Sequence, residues 1–194
     1  MAKSTIPTTG LWSAIASLLN SMFTELYGLL GLRLYGVYNY DDSVTNISIP
    51  AANTWYNLTN ADGGPQSLKY PLPGIAEIYD TTTQAFDFSS LSLGDSVDIR
   101  IDLDVTSTAL SQSFDVSLFL ADDTGTPIPV PYIVEQSFRF AGTRKILRFS
   151  SSFMGSTLVK DNQARFKIRS SDPGSVLVRG WYVRVWPARI GGGA

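Results

Sequence analysis

The sequence predicts a mainly β protein, an antiparallel β-sandwich of the jelly-roll kind with an N-terminal α-helix. Three observations lead to this fold class. From residue 33 onward, apolar and polar residues alternate with a period of two, as in half-buried strands. The 16 Gly and 10 Pro are spread along the chain as turn signals, without a collagen-like period. Before residue 33, apolar residues recur every three or four positions, which is the spacing of one helix face.

The N-terminal element is a helix predicted from Leu11 to about Leu30, with the N-cap candidates Thr8 and Thr9 before it and Gly31 at its end. These residues enclose an apolar seam with the a/d spacing by which helices of separate chains wind around each other. The seam consists of Trp12, Ile15, Leu19, Met22, Leu26 and Leu29. It is therefore the candidate oligomerisation or anchor site.

This helix is apolar over most of its circumference, so something must bury it. Four coverings are considered: copies of itself, a socket in another protein, its own β domain, or a membrane. Ser, Asn and Thr interrupt the apolar run and the polar face carries no Lys or Arg, which disfavours a membrane. Self-association or a protein socket is favoured. Because the seam covers only about two and a half heptads, the β domain must supply most of the contact area.

The strands follow, separated by turn signals. The clearest runs from Val97 to Val105, where odd positions are apolar and even positions are charged, and residues 114–120 repeat the alternation. The other predicted strands are 34–40, 45–49, 54–58, 75–79, 131–140, 144–150, 163–170 and 176–186. Within the last strand, Gly180 predicts a β-bulge or a close backbone approach. Strands spaced by turns about every ten residues indicate a sandwich or barrel.

We divide the chain into three parts on this basis. Residues 1–32 form a helical anchor or trimerisation segment, residues 33–190 form a jelly-roll-like β domain, and residues 191–194 form a flexible tail. The boundaries follow the change from helical to strand periodicity and the terminal run of glycines.

Charge is distributed unevenly along the chain. Residues 1–138 hold 4 basic and 15 acidic side chains, whereas residues 139–194 hold 11 basic and 2 acidic ones. The basic residues alternate with apolar ones in 163–170, so they line the exposed face of a strand. We expect the acidic strand 97–105 to lie beside the basic strand 163–170, because opposite charges across a strand pair help to fix its register. A basic surface that docks on an acidic partner is the alternative.

The absence of two residue types excludes several common enzyme mechanisms. The chain contains no His and no Cys, which removes Ser-His-Asp and Cys-His mechanisms, disulfides and the usual zinc ligands. Asp98, Asp102 and Asp104 come nearest to a hydrolase carboxylate pair, but the alternation explains them as a solvated strand face. Asp122 and Asp123 belong to a turn rather than to a calcium loop. We expect no catalytic residue, no metal ion and no cofactor.

Aromatic residues cluster near both ends of the predicted β domain. The first group, Tyr35, Tyr38, Tyr40, Trp55 and Tyr56, is interpreted as core or subunit interface, with sugar stacking as the alternative. On the last strand, Trp181, Val183 and Val185 share one face and are predicted to be buried. The opposite face then carries a candidate ligand or partner surface. It consists of Tyr182, Arg184 and Trp186.

Three segments, together with the apolar N-terminal helix, resemble tailed-bacteriophage structural proteins. They are Ile49 to Leu58, Phe86 to Val97 and Val176 to Trp186, which look like the entry strand, the run into a long central strand and the closing strand of such domains. The resemblance is to trimeric capsid decoration proteins and head fibres. It implies a homotrimer located in the virion, and it transfers no functional residue.

The combined prediction is a non-enzymatic virion protein, a trimeric capsid decoration protein or head fibre. Its expected partners are copies of itself and phage capsid or other virion proteins. The alternative is a receptor-binding tip domain of a tail fibre or spike that recognises a host surface glycan. The sequence pI of about 5.0 argues against nucleic acid as a partner.

Overall fold

The computed structural model describes Ile15, Leu18, Leu19 and Met22, and then residues 35–41, 46–60, 70–72, 74–75 and 77–188. The chain divides into two units. One contains Met1–Leu34 with Arg189–Ala194, and the other is a compact β unit from Tyr35 to Ala188.

The four described residues of the first unit are helical. Ile15, Leu19 and Met22 belong to the predicted seam; Ile15 is half-buried, whereas Leu19 and Met22 are exposed. Trp12, Leu26 and Leu29 lie outside the described residues, as does the tail at 191–194, so the full helix and its seam stay predictions. Among the residues that the structure describes, no helix has the length and hydropathy needed to cross a membrane.

The β unit contains two stacked sheets and a small hairpin. The strands are β1 (Gly36–Asp41), β2 (Asn46–Ile49), β3 (Tyr56–Asn57), β4 (Tyr79–Asp80), β5 (Ala85–Phe86), β6 (Ser96–Ser107), β7 (Ser113–Leu120), β8 (Ile128–Ser137), β9 (Gly142–Phe153), β10 (Arg165–Ser170) and β11 (Gly174–Trp186). A 3-10 turn, Asp122–Thr124, and a single-turn helix α1, Thr157–Lys160, lie between strands.

The strand order is that of a jelly roll. Sheet A has the order β1-β11-β6-β9, with β2 continuing β1 along the same edge of β11. Sheet B has the order β3-β10-β7-β8. All pairings are antiparallel. The chain thus crosses between the two sheets several times, as in the double Greek-key arrangement. The predicted antiparallel, jelly-roll-like β fold is confirmed.

Most predicted strands are present, because their alternation matches the burial of one face. In β6 the apolar residues from Val97 to Val105 are buried against sheet B. The region around 54–80 differs from the prediction. Strand 54–58 shortens to the two residues of β3, and strand 75–79 is replaced by the β4–β5 hairpin, which begins at Tyr79. Side-chain contacts, rather than regular backbone hydrogen bonds between strands, hold this region in place.

Aromatic rings fill the centre of the sandwich. Trp181 of sheet A stacks on Phe166 of sheet B, with ring centroids 5.2 Å apart and planes 19° apart. Phe86 from the hairpin meets both rings edge-on, at 5.7 Å from each. Tyr132 of β8 adds an edge contact to Phe166 at 4.7 Å. The predicted burial of Trp181, Val183 and Val185 is confirmed, since all three are 0% exposed.

Two buried tyrosines of β1 hold the loop that leads to β4. The Tyr38 hydroxyl donates to the Ile75 carbonyl and accepts from the Leu72 N–H. The Tyr40 hydroxyl accepts from the N–H groups of Ile78 and Tyr79, at 2.8 and 3.1 Å, and donates to Glu77. Burial raises the pKa of Tyr40 far above its ordinary value of 10.0. These aromatic residues therefore belong to the core, as the strand pattern indicated.

Gln112 closes one end of the sandwich. This fully buried side chain accepts hydrogen bonds from Ser107 and the Thr108 N–H, and it donates to Ser170 and the carbonyl of Asp172. It therefore joins the turn between β6 and β7 to the turn between β10 and β11, with every side-chain polar atom used.

The predicted neighbour of the acidic strand is wrong. β6 lies in sheet A between β9 and β11, whereas the basic strand β10 lies in sheet B beside β7 and β3. The acidic face of β6 instead meets Arg179 of β11, and the basic face of β10 meets Asp115 and Asp122. Period-two alternation indicates which face a side chain occupies, but it does not identify the adjacent strand.

Replacing Tyr40 by Phe should lower the free energy of unfolding by about 2 kcal/mol, because two buried N–H groups lose their acceptor. Urea unfolding measures this value. Tyr70→Phe is the control, since Tyr70 is 58% exposed, and no change beyond about 0.5 kcal/mol is expected.

The pH dependence follows from the raised pKa of Tyr40. Its stabilising effect is complete below pH 10.0 and is lost as the pH rises from there through the raised pKa, because the unfolded phenol ionises first. Stability of the Tyr40→Phe variant should therefore fall less steeply above pH 10.0 than that of the unmodified protein. Equal slopes would contradict the assignment.

Candidate functional site

The outer face of sheet A, directed away from sheet B, gathers the polar and aromatic residues that the core does not use. On β11 it carries Tyr182, Arg184 and Trp186, all half-buried, in alternation with the buried Trp181 and Val183. The predicted partner surface is thus a continuous feature of the exposed face, and β6 and β9 extend it across the sheet.

Aromatic rings and guanidinium groups form a ladder along this face, which we call the aromatic–arginine ladder. Tyr35 packs on Trp186 with ring centroids 5.0 Å apart. Arg184 lies over the rings of Tyr35 and Tyr182, at 5.3 and 5.7 Å. Arg100 of the neighbouring strand β6 also lies over Tyr182, with its guanidinium carbon 5.2 Å from the ring centroid. Cation–π contacts of this kind contribute about 0.5–1 kcal/mol each at exposed sites.

Carboxylates of β6 hold the ladder in place. The Trp186 indole N–H donates to Asp98 Oδ2 at 2.5 Å, and Ser151 of β9 donates to the other oxygen of Asp98. Arg100 forms an ion pair with Asp102 at 3.0 Å. The strand register explains these contacts, since Asp98 lies directly opposite Arg184 of β11 and Ser151 of β9. Asp98 and Asp102 thus each bind one member of the ladder.

A pocket adjoins the ladder where β11 bulges. The register between β11 and β6 shifts between Val178 and Gly180, which confirms the predicted bulge and leaves Arg179 as the extra residue. Bulges redirect side chains, and here Arg179 reaches over the face to Asp104, at 2.6 Å. The depression beside it has a volume of about 450 Å³. It is lined by Asp102, Leu103, Asp104, Lys145, Ile146, Leu147 and Arg179.

The free edge formed by β9 and the β8–β9 turn carries a different surface. Arg139, Arg144 and Arg148 are exposed there, together with Phe140, which is 64% exposed. We call these four residues the basic edge. None of its arginines forms an ion pair with a carboxylate that the structure describes, whereas Arg100, Lys160, Arg165, Lys167, Arg169 and Arg179 all do.

Residues considered for catalysis or metal binding are engaged in other contacts. Asp98, Asp102 and Asp104 hold the ladder and Arg179, and Asp122 pairs with Arg165 and Lys167 at 3.2 and 2.6 Å. Within the described ranges, no group of three or more His, Cys, Asp or Glu residues is placed to hold a metal ion. The surface is suited to binding through charge, hydrogen bonds and ring contacts.

Sequence reasoning did not identify the pocket or the basic edge. The pocket depends on the bulge at Arg179 and on the pairing of β6 with β9. Periodicity in the sequence does not show which strands pair, so it could not reveal the pocket. The basic edge had one signal in the sequence: no acidic residue occurs between Glu135 and Asp161.

Comparison with known proteins yields structural likenesses alone. No protein-family model matches the sequence, and no curated protein matches it. A structure of the infectious bursal disease virus Gt strain is 10% identical with a TM-score of 0.47, covering 80% of this chain and 34% of that chain. This chain therefore spans about a third of the length of that viral chain.

Two smaller proteins are similar over most of their own length. Eiger TNF from S. frugiperda is 10% identical with a TM-score of 0.42, covering 84% of this chain and 98% of that chain. The CBM22-1 xylan-binding domain of Paenibacillus barcinonensis Xyn10C is 11% identical with a TM-score of 0.40, covering 78% and 94%. At these values the likeness concerns general β architecture, and we base no functional inference on it.

The bond between Trp186 and Asp98 can be measured by a double-mutant cycle. Trp186→Phe keeps a ring on Tyr35 but removes the indole donor, and Asp98→Ala removes the acceptor. The two changes together should cost about 1 kcal/mol less than the sum of the single changes, measured by urea unfolding. Trp186→Phe combined with Asp115→Ala, on the other sheet, should be additive within about 0.5 kcal/mol. Additivity in both pairs would contradict the contact.

Proposed function

We propose that this chain is a non-enzymatic structural subunit of a virion, a homotrimeric decoration or head-fibre protein. The observation that carries the proposal is the basic edge: Arg144 and Arg148 are exposed on β9, and Arg139 and Phe140 are exposed in the turn before it. Among the described strands of sheet A, none pairs with the outer edge of β9. Charged side chains keep an edge strand from pairing with strands of other chains. An edge with these side chains suits docking against an acidic protein surface.

A second copy of the chain supplies that acidic surface. Residues 1–138 carry a net charge of −11 and residues 139–194 a net charge of +9. Among the ion pairs of the described residues, none includes the exposed carboxylates of Asp87 and Asp123. A contact between the basic edge of one copy and the acidic surface of the next joins two different patches. Repeated contacts of this kind form a ring when the rotation between copies closes, and the proposed trimer is the ring that a rotation of about 120° produces.

Residues 11–30 act in the proposal as the anchor. Their apolar seam joins the helices of a trimer or inserts into a socket on the virion shell, while the β unit projects outward. The seam is too short to hold three chains alone, so the basic edge provides the larger part of the subunit contact. Adhesion and reinforcement of the shell then follow from buried area, without a chemical step.

Neutralising the basic edge should weaken the trimer. We expect sedimentation velocity to show a species of three chain masses for the full chain, and at least tenfold weaker association for Arg144→Gln/Arg148→Gln. Both side chains are exposed, so unfolding free energy should change by less than about 1 kcal/mol.

The matched control is Asn46→Glu/Ser48→Glu, which changes the net charge by the same amount on the opposite edge of sheet A. These residues are exposed as well. The control should associate like the unmodified chain. The proposed subunit contact is falsified if the full chain is a monomer, or if both double variants associate equally.

Deleting residues 1–32 tests the anchor separately. The truncated chain should keep the circular dichroism spectrum of a folded β unit, because the core lies between Tyr35 and Ala188. It should no longer co-sediment with virion shells that the full chain binds. Undiminished binding of the truncated chain to these shells would refute the anchor role.

A further inference from the structure

Two carboxylate oxygens at the pocket lack the hydrogen-bond donors that buried oxygens normally have. Asp104 is 7% exposed, and its Oδ2 accepts from Arg179, whereas its Oδ1 is buried without a partner in the described part of the chain. Asp102 repeats this arrangement: Oδ2 is paired with Arg100, and Oδ1 is buried and has no described partner. Both residues line the pocket, so these oxygens are candidate acceptors for an occupant that donates hydrogen bonds.

The charges around the pocket favour a neutral occupant. Each carboxylate is already paired with an arginine, and Lys145 lies directly opposite Asp104 across the strands. A metal ion or organic cation would meet three positive groups, whereas an anion would meet the unpaired carboxylate oxygens. A molecule with several hydroxyl groups satisfies both sides, because a hydroxyl group donates to a carboxylate and accepts from an ammonium group.

Leu147 provides an apolar part of the pocket wall, and Phe149 continues this apolar surface along β9, beyond the lining of the pocket. Leu147 lies opposite Asp102 and is 55% exposed, and Phe149, in the next outward position of β9, is 50% exposed. Phe149 lies opposite Arg100, which in turn covers Tyr182. A volume of about 450 Å³ lies within the range of roughly 300–1,000 Å³ found for small-ligand sites, where a few polar groups orient a ligand against apolar walls.

We infer that this pocket binds a neutral carbohydrate. Asp102 and Asp104 accept hydrogen bonds from adjacent sugar hydroxyl groups, Lys145 donates to a ring or hydroxyl oxygen, and the C–H face of the sugar packs on Leu147 and Phe149. Arg179 orients Asp104 and is a positioning residue. The inference is independent of the assembly role, because the pocket opens on the outer face of sheet A and the basic edge lies along its side.

The test begins with the full chain on an array of neutral and sialylated oligosaccharides. The strongest neutral ligand is then titrated by isothermal calorimetry against two pocket variants and one control variant. Asp104→Asn keeps the shape of the side chain but replaces an acceptor with a donor, and Lys145→Ala removes an exposed side chain that the fold does not need. Each should weaken binding at least tenfold. Asp161→Asn, an exposed carboxylate in the turn after α1, is the control and should bind normally.

Several results would overturn the inference: no neutral oligosaccharide binds at millimolar concentration, only sialylated ones bind, or Lys145→Ala binds as tightly as the control. If Asp104→Asn fails to fold, Lys145→Ala still decides the question. Sedimentation velocity on the same samples separates the two proposals. The pocket variants should leave the oligomeric state unchanged, and the basic-edge variant should leave sugar affinity unchanged.

Discussion

The stacking of Trp181 on Phe166 is the contact on which the rest of the structure depends. These two rings join sheet A to sheet B, and Phe86 anchors the β4–β5 hairpin to both. Because side chains alternate along a strand, an inward Trp181 requires that Tyr182, Arg184 and Trp186 point outward. A shift of one residue in β11 would bury the ladder and expose the core. The central aromatic contact therefore determines the composition of the outer face.

Ion pairs in this protein orient surfaces more than they stabilise the fold. Among the described residues, six ion pairs join basic residues of β6, β10, β11 and α1 to nearby carboxylates. Partly exposed pairs of this kind contribute little net energy. Their effect is that Arg100 and Arg179 hold two carboxylates in fixed positions at the pocket, while the arginines of the basic edge keep their charge for other molecules. The two surfaces thus arise from one uneven distribution of charge.

Much of the fold could be predicted from alternation, because burial of one face produces a period of two in β6, β7, β10 and β11. The same pattern placed Tyr182, Arg184 and Trp186 on a shared surface. It failed for β3 to β5, where Tyr38 and Tyr40 fix irregular backbone through their hydroxyl groups. It also failed to find the pocket, which requires a bulge and a neighbour distant in sequence. Of the seam, Ile15, Leu19 and Met22 fall among the described residues, and all three are helical.

The place of β11 inside sheet A has a consequence during translation. β1 and β2 have β11 as their strand partner, and β6 pairs with it along its whole length. The nascent chain must therefore expose its early strands until Gly174 to Trp186 leaves the ribosome. A chain that lacks this strand leaves β1, β2 and one edge of β6 without their strand partner and uncovers the apolar core that Trp181 fills. Sheet A can therefore be completed only once β11 has been synthesised.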